Sequence, residues 1–232
     1  KHAIDCVKAL PGVGKNLQDH LFFPIAGFLK QSQGINHYLK VWDKAKALGN
    51  YFLSRKGPFT VSPLEAFAFM HTEQEDRVNM QFHFAPFHPG PNYERDFYNQ
   101  KEYVKEDGFL LLPTLLLPKS RGYVSIRSDN PGDDPLVQPN FLSHDDDLKV
   151  LLQGAKTAMQ LISQSVFSDQ ISELYYPTDD SNDAMLDVLL NRLETVYHPV
   201  GTCKMGKDEA AVVDSRLRVH GVEGLRVIDA SI

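Results

Sequence analysis

Cysteine is scarce in this sequence, which has only Cys6 and Cys203 among 232 residues. Two thiols are too few for a disulfide framework, and they lack the CxxC spacing that is typical of a zinc site. So few cysteines suggest a reducing compartment, and a cytoplasmic protein is the corresponding expectation. The first residues, KHAID, contain neither an initiator Met nor a signal-like apolar region, so we expect the chain to begin inside a longer protein.

Long apolar runs and runs of positive charge are also missing. The longest apolar stretch, residues 109–117, contains Pro113 and is far shorter than the roughly 20 residues that a membrane-spanning helix needs. The 24 Lys and Arg residues are outnumbered by 30 Asp and Glu residues, and no segment is rich enough in Lys and Arg to follow a phosphate backbone. These absences argue against a membrane span and against nucleic acid as a partner.

Several catalytic motifs are absent as well. The chain has no GxSxG nucleophile elbow, no HExxH zinc helix and no GxxxxGK[ST] phosphate loop. Gly12 and Gly14 are followed by Leu17 where a dinucleotide fingerprint needs a third glycine, so we interpret them as a structural turn. His83 and His88 are five residues apart on an extended segment, a spacing that does not converge on a metal ion, and we predict no metal site.

Helical spacing of apolar residues occurs in three segments, each of which predicts an amphipathic helix. The first segment covers residues 38–56, and the third covers about 182–194. The second follows Ser143, which resembles a capping box with Asp146 three residues later. The acidic run 145–147 could suggest a cation site, but the dipole of the helix that begins there explains it.

Alternating apolar and polar residues predict antiparallel strands in between. In the segment 79–85, for example, Met80, Phe82 and Phe84 alternate with Gln81, His83 and Ala85, so that one face of the strand should be buried and the other partly polar. The remaining strand predictions are 21–28, 65–71, 123–127 and a buried strand at 225–229.

Two segments resemble the glucose-methanol-choline (GMC) oxidoreductases: PGVGKNLQDH at 11–20, and YHPVGTCKMG followed by VVDSRLRVHGVEGLRVIDASI at the end of the chain. The intervening segment LLLPKSRGYVSIRSDNPGDDPLVQPNFLSHDDDLK also follows the order and spacing of that family. The resemblance covers essentially the whole chain. It implies an α+β fold, in which residues 21–195 form a substrate-binding domain, an antiparallel sheet with helices packed on one face. Residues 1–20 and 196–232 would be terminal strips of an FAD-binding domain.

The family resemblance further implies an FAD enzyme that moves a hydride from an alcohol carbon to the flavin and a proton to a base. His198, in Tyr197-His198-Pro199, matches the family's active-site histidine. Histidine suits this role because its ordinary pKa of about 6.5 lets a neutral imidazole accept a proton near neutral pH. The residues that match cofactor-side segments of the family are Asn16, Asp19, His20, Asp229 and Ala230.

Glu65, in LEAFAF, resembles the glutamate of choline-oxidising members, where a carboxylate near aromatic faces would bind a quaternary ammonium ion. A surface or capping glutamate is an equally good interpretation. Five phenylalanines could supply the aromatic faces, although aromatic residues that alternate along strands are more often plain core: Phe67, Phe69, Phe82, Phe84 and Phe87.

The glycine-rich FAD fingerprint of the family and its second active-site residue, a His or Asn, do not occur in these residues. We therefore expect an N-terminal FAD-binding domain as partner, and a 232-residue segment that alone is inactive, does not retain FAD and self-associates through its apolar surface. The electron acceptor stays open. A non-catalytic binding or assembly domain derived from the same fold remains the alternative.

Overall fold

The computed structural model describes residues 2–73, 76–92, 101 and 103–232. The chain packs as two compact units. Unit 1 comprises the N-terminal segment that ends at His20, together with Leu117–Leu148 and Thr195–Ile232, and unit 2 comprises Leu21–Leu116 and Lys149–Glu194. That these units correspond to an FAD-binding and a substrate-binding domain stays a prediction.

Ten strands and four α-helices occur in the described part of the chain. The strands are β1 (Lys15–Leu17), β2 (Leu21–Phe22), β3 (Ile25–Leu29), β4 (Ala66–Met70), β5 (Met80–Ala85), β6 (Gly108–Leu115), β7 (Gly122–Ser125), β8 (Leu136–Gln138), β9 (Ile171–Tyr176) and β10 (Glu194–Thr195). The helices are α1 (Val41–Ser54), α2 (Asp145–Ile162), α3 (Ser165–Ser168) and α4 (Asn182–Arg192). None of the helices in the described residues is both long and apolar enough to cross a bilayer.

Unit 2 is built on a seven-stranded sheet with the order β10-β2-β6-β3-β9, to which β5 and then β4 are added beside β6. The pairs of β6 with β2, β3 and β5 are antiparallel, as are β3 with β9 and β4 with β5. Every residue of β6 is buried, because strands flank it on both sides. The predicted antiparallel sheet is confirmed.

The alternation predicted for β5 is present from Met80 to His83 but not beyond, since Phe84 is half-buried and Ala85 is buried. Met80 and Phe82 are buried, whereas Gln81 and His83 on the other face are half-buried. On the neighbouring edge strand β4, however, Phe67 is 66% exposed and therefore is not part of the core. An edge strand has a single neighbour, which leaves its aromatic side chains with fewer packing partners.

The three predicted helices are all present, but they bury different amounts of apolar surface. In α2, small residues such as Ala155 and Ala158 are fully buried. Gly154 lies so close to the sheet that a Cβ there would be 2.7 Å from the Cε atom of Met80. In α1, by contrast, Trp42 is 80% exposed. The spacing of apolar residues thus predicted the helix correctly, but Trp42 on its apolar face packs against little else in the described residues.

Unit 1 contains the antiparallel sheet β1-β7-β8 and a small apolar cluster formed by Val212, Val213 and Val219. Cys203 packs against this cluster as a partly buried apolar side chain. The prediction of a buried strand at 225–229 is wrong. That segment pairs with residues 217–219 through one bridge, of Arg226 with Arg218, and its Ile228 is 72% exposed, so it is neither a regular strand nor buried.

Candidate functional site

Two parts of unit 1 that are far apart in the sequence run side by side, and the second of them contains the predicted catalytic histidine. Gln18 and Val200 exchange backbone hydrogen bonds of 3.0 and 2.9 Å, and the N–H of Val196 donates to the carbonyl of His20 at 3.1 Å. Three residues, 18–20, therefore face five residues, 196–200. The two extra residues must bulge away from the pairing.

His198 lies on this bulge. Its side chain is exposed, and its ring meets the ring of His20 edge-to-face, with centroids 5.7 Å apart and planes at 77°. The residue before it, Tyr197, has a left-handed backbone with φ of 61°, which is unfavourable for a residue with a side chain. The backbone N–H of His198 donates to Oδ1 of Asp19 at 2.9 Å.

Asn16 ties together three parts of unit 1. Its side-chain amide donates to the carbonyl of Gly201 at 3.0 Å, and its side-chain oxygen accepts from Nε of Arg121 at 3.1 Å. A Cβ on Gly201 would lie 2.6 Å from the backbone oxygen of Asn16, and Gly201 has φ of 91°, so only glycine fits there. No local pattern in the sequence indicates Arg121 as part of this site, because it is 105 residues from its partner Asn16.

Asp229 and Ala230 lie beside the same loop. The N–H of Gly201 donates to the carbonyl of Ala230 at 3.3 Å, and the N–H of Cys203 donates to the carbonyl of Ser231 at 2.6 Å. Hydrogen bonds from Ser231 hold the pKa of the Asp229 carboxyl below its usual value. The structure thus brings together six of the seven predicted site residues.

The seventh, Glu65, belongs to unit 2 and precedes β4. Its backbone N–H donates to the carbonyl of Phe84 at 3.0 Å. It lines a cavity of about 250 Å³ together with Phe84, Phe109, Phe167 and five further residues, none of them Lys or Arg. Of the five phenylalanines that the sequence offered as aromatic faces, Phe84 is the one on this cavity. Glu65 itself is exposed, and a carboxylate at the edge of an aromatic cavity favours a cation.

His88, whose spacing from His83 argued against a metal site, has a structural role. It is fully buried in unit 2, with Nδ1 2.7 Å from the hydroxyl of Tyr175 and Nε2 3.0 Å from the carbonyl of Glu106. Burial lowers the pKa of His88, and the neighbouring carbonyl of Glu106 and charge of Asp107 oppose this effect only in part. Within the described residues, no three His, Cys, Asp or Glu side chains are grouped to hold a metal ion.

Residues 118–232, which include the His198 bulge, match the family model described as GMC oxidoreductase. The chain belongs to the GMC oxidoreductase family. An alcohol dehydrogenase [acceptor] of Pseudomonas putida is 37% identical over 236 residues, which cover 100% of this chain and 42% of the relative. An oxygen-dependent choline dehydrogenase of Cronobacter sakazakii is 36% identical, over 99% of this chain and 40% of the relative.

Solved structures share the same fold. A formate oxidase from Aspergillus oryzae, studied for the modification of its FAD, superimposes with a TM-score of 0.86 at 24% identity, over 100% of this chain and 44% of that protein. A fungal aryl-alcohol oxidase superimposes with a TM-score of 0.75 at 18% identity, over 100% and 46%. The GMC oxidoreductase fold is confirmed, and the chain spans about two fifths of the length of the curated relatives it matches.

Proposed function

We propose that this GMC family chain is the C-terminal part of an FAD-dependent alcohol oxidoreductase in which His198 accepts the proton of the substrate hydroxyl. The observation that carries the proposal is the bulge, which presents the exposed imidazole of His198 beside the ring of His20. The names of the two relatives, an alcohol dehydrogenase and a choline dehydrogenase, support alcohol as the substrate class.

The residues around the bulge fit a flavin. His198 and Ala230 are exposed. The loop that follows His198 reaches Ala230 through the Gly201–Ala230 hydrogen bond, and the side chains at that contact are small. Small side chains leave space for a planar ring system, and the exposed His198 and the half-buried His20 offer hydrogen-bonding nitrogens. Asn16, His20 and Asp229 complete the surface that we assign to the cofactor side. FAD, when bound, supplies an acceptor for the hydride that leaves the alcohol carbon.

The contribution of this chain is to remove and hold the hydroxyl proton. The neutral imidazole of His198 accepts that proton on its unprotonated ring nitrogen as the carbon–oxygen double bond forms. The resulting imidazolium stabilises negative charge that develops on the substrate oxygen. The edge-to-face contact with His20 restricts the rotation of the ring, which keeps the accepting nitrogen in place.

For the substrate, we propose choline or a similar primary alcohol that carries a cationic group. Glu65 and three phenylalanine rings line one cavity, and a quaternary ammonium ion gains from both the carboxylate and the ring faces. We further propose that these 232 residues are inactive alone and require the rest of the protein, since the chain covers 42% of its P. putida relative.

The experiment uses the full-length protein purified with its flavin. After anaerobic mixing with choline, the bleaching of the flavin absorbance reports hydride transfer. His198→Asn should slow this bleaching by about 10²–10⁴-fold while the flavin content stays the same. His71→Asn, a change at an exposed histidine of unit 2, is the control and should bleach at the normal rate.

An unchanged rate in His198→Asn would show that this histidine is not the base. A full-length protein that is colourless and takes up no added FAD would instead favour the non-catalytic binding domain. Alcohol-dependent dye reduction by the 232-residue segment alone would refute its proposed inactivity.

A further inference from the structure

The backbone pairing around His198 is irregular, and a side chain supplies the hydrogen bond that the neighbouring strand does not. In an antiparallel ladder, the residue pairs that exchange two hydrogen bonds recur every second residue. Since Gln18 and Val200 form such a pair, the next one should join His20 and His198. The structure differs, because the carbonyl of His20 accepts from Val196 instead.

The N–H of His198 has therefore lost the strand partner that a regular ladder would give it. Oδ1 of Asp19 takes its place at 2.9 Å. The left-handed Tyr197, one residue earlier, is the point at which the backbone leaves the ladder. A bulge next to a functional side chain redirects that side chain, and it persists only when the surrounding contacts hold it.

From this geometry we propose that Asp19 is a positioning residue that fixes the His198 bulge, and therefore the direction of the imidazole. The proposal rests on the proposed role of His198 as base. It changes the interpretation of Asp19, which the family resemblance placed on the cofactor side, because one carboxylate oxygen is engaged by the backbone of the catalytic loop. The flanking backbone bonds at Gln18 and His20 fix the ends of the bulge, and Asp19 fixes its middle.

The first test measures how well the backbone amides of the loop are protected, and it does not depend on enzyme activity. In the full-length holoprotein, amide hydrogen exchange of the peptide that spans 196–201 reports the bond to Asp19. Asp19→Ala should speed this exchange about tenfold, whereas Asp19→Asn, which keeps an acceptor oxygen, should recover most of the protection. The matched control is Asp5→Ala, at an exposed aspartate of the same unit, and should leave the exchange unchanged.

The second test measures catalysis with the same variants. Asp19→Ala should lower kcat for choline about tenfold or more with KM and flavin content nearly unchanged, because a misdirected base affects the chemical step. Asp19→Asn should restore most of kcat. If Asp19→Ala does not fold, Asp19→Glu serves instead, since its carboxylate is displaced by one methylene and should give the same two effects to a smaller degree.

Unchanged exchange in the 196–201 peptide would overturn the proposal, as would faster exchange with a normal kcat. Loss of flavin from Asp19→Ala with normal exchange would return Asp19 to a cofactor role. Failure of the proposed function is distinguishable from these outcomes, because it would appear as normal flavin bleaching in His198→Asn whatever the exchange of the loop.

Discussion

Asp147 offers a quantitative test of how unit 1 is held together. Its side chain is 1% exposed and accepts two backbone N–H groups, from Lys119 at 2.7 Å and from Ser120 at 2.9 Å. The carboxylate thus joins the start of α2 to the segment before β7. From the sequence, the acidic run 145–147 had been explained by the helix dipole alone, which would make its three members nearly equivalent.

The structure predicts that they are not equivalent. A hydrogen bond to a charged group contributes about 1.5–3 kcal/mol, and truncation removes two such bonds, one of them from the buried N–H of Ser120, so Asp147→Ala should cost about 3–6 kcal/mol of unfolding free energy. Asp145→Ala removes an exposed charge from the same helical turn and should cost at most about 1 kcal/mol. Asp147→Asn keeps one acceptor but places an amide donor against the other N–H, which predicts an intermediate loss.

Urea unfolding followed by circular dichroism measures these differences. With a slope of about 3 kcal/mol per molar, Asp147→Ala should lower the midpoint by about 1–2 M and Asp145→Ala by at most about 0.3 M. The hydrogen exchange of the amides of Lys119 and Ser120 should rise in the first variant only. Equal midpoint shifts for the two alanine variants would refute the reasoning and return the acidic run to a helix-dipole effect.

Two further predictions concern unit 2. Glu65→Gln should raise KM for choline about fivefold to tenfold and leave KM for neutral alcohols unchanged, because the lost charge affects only a cationic substrate. Steady-state kinetics on both substrates measure this, and an equal rise of the two KM values would contradict it. For His88, burial sets a folded-state pKa below the ordinary 6.5, so the unfolded chain binds the proton first as the pH falls. Stability should therefore be fully present above about pH 6.5 and decline below it, and His88→Gln, which does not titrate, should flatten this decline in urea midpoints measured at several pH values.

The sequence predicted elements whose pattern is local. The helical stripe of α2 and the alternation in the first four residues of β5 are short-range periodicities, and both are present in the structure. What these patterns could not predict is which face acquires a neighbour. Trp42 in α1 and Phe67 in β4 are exposed although each belongs to a regular apolar pattern. Ile228 is exposed too, in a segment that has the composition of a strand but pairs with its neighbour through a single bridge.

The candidate site was predictable to a similar extent. The family motif identified His198, and the structure groups it with Asp19 and His20. The contacts that hold the group are between residues far apart in the chain: Asp19 is 179 residues from His198, and Asn16 is 105 from Arg121. A one-dimensional pattern carries no signal for such pairs, and so the motif gave the identity of the residues without the reason for their arrangement.

The N-terminal and C-terminal motif segments lie side by side, and this close contact accounts for some of their residues. Gly12 is required because a Cβ there would lie 1.9 Å from the carbonyl oxygen of Ala210, and Gly201 because its Cβ would meet the backbone of Asn16. Gly12 thus makes room for the backbone at Ala210, between the two stretches of the C-terminal motif, and Gly201 makes room for the backbone of Asn16. The extra length of the second segment is then forced outward at His198. A side chain added at Gly201 would therefore collide with the backbone of Asn16 and displace the loop that carries His198 without touching the histidine itself.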